Sequence, residues 1–338
     1  MIWLTWRQFR ASAATVAGAL VVLVVLLGLT GPELASDHSS WLAACAADPG
    51  ACPGFAKRLL DDYEGPYLMV GAAVVLLPVL IGLFWGAPLV SRELEAGTHR
   101  LVWGQSITRT RWLTVKLAVT VPAAMAAAAV GGLAATWWAA PFDETAGGDF
   151  SRMAPLMFPA RGIVPIGYAA FALVLGVAAG MVLRRTVAAM AVTLAIFTAV
   201  QLAMPLLARP HLLPPVRATV EITRGNLESL GGSRDGPPIR VTTQPPEPGA
   251  WVLSSTTVDA SGRPVATIPL SMSSGPCTRR GGDVQPCLAE IKRLGYRQQT
   301  TYHPSSRYWP LQGLETGIYL ALALGLAWFS LRRIRHLP

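Results

Sequence analysis

The residues best suited to chemistry in this chain lie in one run, Ser91-Arg92-Glu93-Leu94-Glu95-Ala96-Gly97-Thr98-His99-Arg100. Arg92 and Glu95 stand three apart, a spacing that brings opposite charges together on one helical face. Gly97 suits the end of such a helix, because a helix C-terminus often needs a left-handed residue. Thr98 can cap a following helix, and a second short helix is expected from Thr98 towards Trp103. Thr108, Arg109 and Lys116 continue the polar pattern. The chemistry on offer to Glu93, Glu95 and Arg100 is ionic and hydrogen-bonding. The plain alternative is a charged segment that only fixes how the chain is threaded.

No bond-breaking machinery accompanies this run. A phosphate-cradling loop needs Gly-x-x-x-x-Gly-Lys-Ser/Thr, and none of Lys57, Lys116 and Lys292 follows a glycine. Neither His-Glu-x-x-His nor Gly-x-Ser-x-Gly occurs. His38, His99, His211, His303 and His336 are scattered. No catalytic residue, no metal site and no enzymatic activity of its own are expected. The net charge of +9 is not a nucleic-acid footprint. Its basic residues flank apolar stretches or fall in one long loop, so no nucleic-acid partner is expected.

Those apolar stretches dominate the chain. Hydrophobic residues make up 52% and charged residues 14%, where a soluble domain carries about 25% charged. Ala11–Gly31, Pro66–Val90, Leu117–Ala140, Ile163–Leu183, Val187–Leu207 and Leu314–Leu331 are nearly free of ionisable groups. About twenty helical residues cross a hydrocarbon layer roughly 30 Å thick. The expected fold is an all-α polytopic membrane protein with six transmembrane helices. Arg7 and Arg10, the segment from Arg92 to Lys116, Arg184-Arg185 and Arg332 to Arg335 all fall on one face. Positive-inside reasoning makes that face, and both termini, cytoplasmic. No acid–base pair is found within the spans. Glu315 is placed at the outer interface, and Gln201 is expected to bond a neighbouring helix.

The flanking segments differ in kind. Trp3, Trp6, Arg7 and Arg10 suit the headgroup layer, so a short interfacial helix is expected over Met1–Arg10. Glu33, Asp37 and His38 separate the first apolar core from Leu42-Ala43-Ala44-Cys45, so that core is read as a retained helix and not a cleaved signal. Cys45, Cys52, Cys277 and Cys287 all fall on the outer face. Local pairs Cys45–Cys52 and Cys277–Cys287 are preferred because each closes a short loop; four free thiols are the competitor. Residues 1–207 hold five spans and the segment 91–112, residues 208–312 form an extracellular insertion, and residues 313–338 form span six with a basic tail. Val216–Thr223, Ile239–Thr243, Trp251–Val258 and Pro264–Leu270 read as strands, with a turn at Asp259–Gly262 and a short helix at Leu288–Leu294. The insertion is therefore expected to be β-rich, lying between spans five and six. A largely disordered loop is the competitor.

Arg-Glu-x-Glu-x-Gly-Thr directly after span two, carried by Arg92, Glu93, Glu95, Gly97 and Thr98, resembles the type-2 ABC transporter permeases. So do Thr108, Arg109 and Lys116 at the entry to span three. Trp3–Arg10 and Gly82–Val90 resemble such permeases in actinobacteria. The likeness covers the six-helix frame and implies the membrane subunit of an exporter in the bacterial inner membrane. It further implies a cytoplasmic ABC ATPase subunit, with ATP and Mg bound there and no cofactor on this chain, and a second permease chain, identical or not. Arg92, Glu93, Glu95, Gly97, Thr98, Arg100 and Arg109 would make up the ATPase-coupling segment. Gln105-Ser106 and the long insertion depart from the family pattern. A reading of another class is a membrane-anchored sensor or assembly factor that binds a ligand or partner through the outer domain.

Overall fold

A computed structural model describes residues 2–48, 52–98, 108–145, 151–233, 236–272, 275–278 and 284–336. The chain divides into two compact units, Met1–Leu212 with Trp309–Pro338, and Leu213–Tyr308.

The first unit is helical. It comprises α1 (Ile2–Ala47), α2 (Cys52–Ile81), α3 (Ala87–Glu95), α4 (Arg109–Trp138), α5 (Val164–Leu183), α6 (Thr186–Ala203) and α7 (Tyr308–Arg333). A π-helical turn, Gly82–Gly86, joins α2 to α3, and a second, Met204–Ala208, extends α6. Six segments are long and apolar enough to cross a membrane: Phe9–Ala47, Asp61–Glu95, Arg109–Trp138, Val164–Leu183, Thr186–His211 and Ser305–His336. The protein is a multi-pass membrane protein.

Two expectations change. The interfacial helix is not a separate element, because Ile2–Arg10 are the first turns of α1. Ala11-Ser12-Ala13-Ala14 follows with no glycine or proline, so nothing interrupts the hydrogen-bond ladder. The segment between the first two spans is also largely helical, since α1 runs to Ala47 and α2 begins at Cys52. Among its described side chains Glu33, Asp37, Asp48, Asp61, Asp62 and Glu64 are exposed while Leu34 and Tyr67 are buried. Leu34 packs with Tyr67, Trp138, Phe142 and Met157, and Tyr63 donates 2.8 Å to Asp37 Oδ2.

Helix α5 occupies the centre of this unit, with 83% of its apolar window buried against 11% for α1. Small residues make the close approach possible. Gly82 and Gly86 on the π turn meet Gly176 on α5, and Gly180 on α5 meets Ala87 of α3. A Cβ on Gly86 would lie 2.4 Å from the Leu173 carbonyl oxygen, and one on Gly176 would lie 2.5 Å from the Ala87 nitrogen. Backbone meets backbone there, and neither side has room for a methyl group. On the same π turn Trp85 donates 3.2 Å to the Ser12 carbonyl and meets the Phe9 ring edge-on at 4.6 Å. The turn thus joins α1 to the α5 seam.

The second unit is β-rich, as expected. An antiparallel sheet has the order β1 (Val216–Glu221), β6 (Arg297–His303), β4 (Trp251–Val258), β5 (Pro264–Val265). A hairpin of β2 (Leu227–Ser233) and β3 (Gly236–Thr243) stands beside it, tied by a bridge between Ile239 and Ile268. The core is Ile222, Ile239, Val241, Ile268, Leu288 and Ile291, packed around Cys277 and Cys287. Helix Gln285–Arg293 supplies three of those side chains. The Asp259 turn is closed by its own carboxylate, which the Ser261 hydroxyl and the Arg263 backbone N–H hold down to a pKa of about 2. The compact unit is shorter than the expected insertion by a few residues at each end. Arg209 and Gln312 therefore belong with the helices.

Candidate functional site

Both acidic residues at the end of α3 bond to neighbouring helices, Glu93 half-buried and Glu95 exposed. Glu93 Oε1 lies 2.6 Å from Lys116 Nζ, which also donates 2.9 Å to the Leu89 carbonyl. Lys116 is 4% exposed and sits 4.4 Å above the Trp112 ring. Burying an ammonium group is costly unless it is paired and hydrogen-bonded, and Glu93 with the Leu89 carbonyl satisfies it. Two residues on, Glu95 Oε2 accepts from both the backbone N–H and the hydroxyl of Thr186, at 3.0 and 2.8 Å. Thr186 is the first residue of α6, whose leading N–H groups have no partner within the helix. A carboxylate satisfies that need and suits the positive end of the helix dipole. Ser91 adds a hydrogen bond of 3.0 Å to the Thr186 hydroxyl. The end of α3 is thereby fastened to α4 through Glu93 and to α6 through Glu95.

The rest of the motif has a different placement. Gly97 has φ +70°, the left-handed conformation expected of it, and open space where a Cβ would go. Thr98 donates 3.5 Å to the Glu93 carbonyl. Arg92 is exposed, and Arg109 opens α4 half-buried. Thr108 caps α4 by accepting from the Arg111 N–H at 3.3 Å. Arg100 and the second short helix towards Trp103 lie outside the described residues. Beside the clamp is a cleft of about 460 Å³, lined among others by Phe9, Trp85, Pro88, Arg92 and Lys116. Of the amino-terminal group, Trp3, Arg7 and Arg10 are exposed, with the Arg7 guanidinium 5.4 Å from the Trp3 ring centre. The Trp6 side chain lies outside the described residues.

The opposite end of the helical unit holds a charged cluster that the sequence reading missed. Arg209 Nε and Nη2 donate to Glu315 at 2.7 and 2.9 Å, and the two side chains are 1% and 0% exposed. Tyr168 donates to the same carboxylate, and the Arg209 guanidinium stacks 4.1 Å from the Phe158 ring centre. Glu315 is therefore buried and paired, and an acid–base pair joins the ends of spans five and six. Its sequence signal was one lone arginine and one lone glutamate at the matching ends of two adjacent spans. Gln312 Oε1 accepts from the N–H groups of Ile163 and Val164, at 3.0 and 2.9 Å, and its amide donates 3.1 Å to the Phe158 carbonyl. Arg161 bonds both oxygens of Asp143 at 2.7 and 2.9 Å. These bonds hold residues 153–161, where Met153, Met157, Phe158 and Arg161 are buried. Gln201 accepts from Tyr319 at 2.7 Å, the helix-to-helix role expected of it.

Cys277 and Cys287 form a disulfide. Cys45 is also disulfide-bonded; the Cys52 side chain lies outside the described residues. No group of three or more possible metal ligands occurs among the described residues. A wholly apolar groove of about 460 Å³ lies between α4, α5 and α7, with Pro122, Val174 and Leu324 in its wall.

The polar end of α3 is thus tied to α4, the next membrane-crossing helix, and to α6. No curated relative and no solved structure matches this chain. A family model described as "ABC-2 membrane transporter related" matches residues 17–209, more than half of the sequence. The chain belongs to the ABC-2 membrane transporter related family.

Proposed function

We propose that this chain is the permease subunit of an ABC exporter, with both termini on the cytoplasmic side of a bacterial inner membrane. A separate ATP-binding subunit docks on the connection between α3 and α4, and a second permease chain completes the path. The chain itself binds neither ATP nor Mg and is not an enzyme. The observation that carries this reading is the double attachment of α3, Glu93 to Lys116 and Glu95 to Thr186. A push on residues 96–107 reaches α4 through one carboxylate and α6 through the other. In this division of labour Arg92, Thr98, Arg100 and Arg109 face the ATPase, Gly97 makes the turn, and Glu93 and Glu95 carry the force inward. The β-rich unit lies on the extracellular side.

The test is co-expression with any ATP-binding protein found encoded beside it, followed by ATPase assays of the complex in nanodiscs. Wild type should copurify that protein and stimulate it. Gly97→Val and Glu95→Lys should insert normally and copurify, yet lose most of the stimulation. If no ATP-binding protein copurifies, the permease reading fails and the outer-domain sensor becomes the better one. Full stimulation by both variants would overturn the coupling assignment.

A further inference from the structure

In the four-stranded sheet of the β-rich unit, one edge is the six-residue strand β1. Strand β1 pairs with β6 on one side only, while the opposite edge of the sheet is β5, two residues long. Exposed edges usually carry a guard such as a bulge, a proline or a very short strand. β1 has none of these: its six residues pair with β6 in unbroken register. Pro214-Pro215 precede it and set where pairing can begin. Its side chains alternate, with Arg217, Thr219 and Glu221 exposed and Val216, Ala218 and Val220 half-buried. Arg217 makes no ion pair among the described residues, while Glu221 pairs with the exposed Lys292 at 2.9 Å and stands opposite Arg297 on β6.

The geometry points to a second copy of this chain as the occupant of that edge, with β1 pairing antiparallel to its own twin about Thr219. The sequence Val-Arg-Ala-Thr-Val-Glu is complementary to itself in that register. With the two-fold axis at Thr219, each Arg217 faces the twin's Glu221, Ala218 faces Val220, and the two threonines face each other. Opposite charges and paired threonines are both favourable cross-strand neighbours. Other registers that keep the faces matched are worse. An axis at Arg217 opposes two arginines, one at Ala218 sets Glu221 against Pro215, and one at Val220 leaves Arg217 without an acid. A slip by one residue would place the charged side chains on the half-buried face. The inference rests on the reading that two permease chains pair, and it assigns a surface to that pairing.

The experiment uses the full chain in native membranes. No described cysteine is free, so Thr219→Cys adds a reporter thiol. Copper-phenanthroline oxidation should give a covalent dimer that a reductant reverses, because facing strand residues lie within disulfide reach. Ser254→Cys, exposed on β4 two strands away, should give none. Adding Arg217→Glu to Thr219→Cys should lower the dimer yield about five-fold, the worth of two reversed charge pairs. Adding Glu221→Arg as well should restore it. Ala218→Cys mixed with Val220→Cys reports on the same axis should Thr219→Cys fail to fold. Absence of dimer from both reporters, or equal dimer from Ser254→Cys, overturns the inference. If native mass measurement then still gives a dimer that stimulates the ATPase, the permease reading survives and the chains pair elsewhere.

Discussion

The two ends of the helical unit solve the same problem with different amounts of water. At one end Glu95 is exposed and Glu93 is 17% exposed, the first bonded to α6 and the second to α4. At the other, Arg209 and Glu315 are sealed from solvent, bonded twice to each other, and braced by Tyr168 and Phe158. A bond that water can replace is cheap to break and re-form. A buried pair is not, because separating it strands a charge. The Glu95 end is therefore the one built to rearrange, and the Arg209 end the one built to hold. Between them, at the Gly86–Gly176 seam, backbone packs directly on backbone with no room for a Cβ on either side.

The sharpest way to break this contrast is to cut the buried pair. Arg209→Met or Glu315→Leu alone should each cost about 3–5 kcal/mol, and the double variant should recover most of that loss. Thermal unfolding of the purified protein in detergent reads it out. Additive losses would mean that the pair is not the lock described here. The seam comes next. Gly176→Val puts branched carbons where even one Cβ is 2.5 Å from a backbone nitrogen. Overpacking of this kind typically costs about 1–3 kcal/mol. Unlike the buried pair, the seam should be rescued by no partner substitution, since its obstacle is backbone. A Gly176→Val protein that unfolds at the wild-type temperature would show that α5 and the π turn slide freely.

How much of this was legible in the sequence follows from where each signal resides. The spans were plain because lipid imposes length and apolarity directly, and all six lie within or across the expected stretches. Gly97 was legible because a left-handed residue after a helix leaves few choices. The bonding of Glu93 and Glu95 to neighbouring helices was not, since it depends on Lys116 and Thr186, residues 23 and 91 positions away. Arg209 and Glu315 were hidden by the same distance: each alone reads as a residue at the membrane surface. Strands β2 and β6 were missed because Leu-Glu-Ser-Leu-Gly-Gly-Ser and Arg-Gln-Gln-Thr-Thr-Tyr-His lack the apolar alternation that marks a half-buried strand. The continuity of α1 was missed because tryptophan and arginine at helical spacing fit a surface helix and the start of a long rod equally well.

The Glu95 end invites the milder cuts. Lys116→Met leaves Glu93 without its ammonium partner, but near enough to water to be solvated. The expected loss is about 1–3 kcal/mol, the range for orphaning one buried polar group. A cycle with Glu93→Gln should show coupling between the two positions, and it should be smaller than that between Arg209 and Glu315. Equal couplings would erase the distinction between the two ends.

The smallest stability effect should accompany a large functional one. Glu95→Ala removes a carboxylate that satisfies the first N–H of α6 from outside, a capping loss of about 1 kcal/mol. Water can reach Thr186 in its place, so the fold should stand and the unfolding temperature should fall only slightly. What water cannot do is carry a displacement of α3 into α6. Glu95→Gln keeps an acceptor for the Thr186 N–H and should restore part of the link. If Glu95→Ala abolishes stimulation of the ATPase while Glu95→Gln retains some of it, at nearly equal stability, the bond acts as a mechanical tie. If both variants stimulate as wild type does, α3 reaches the helices by Glu93 alone, and the soft end has one hinge instead of two.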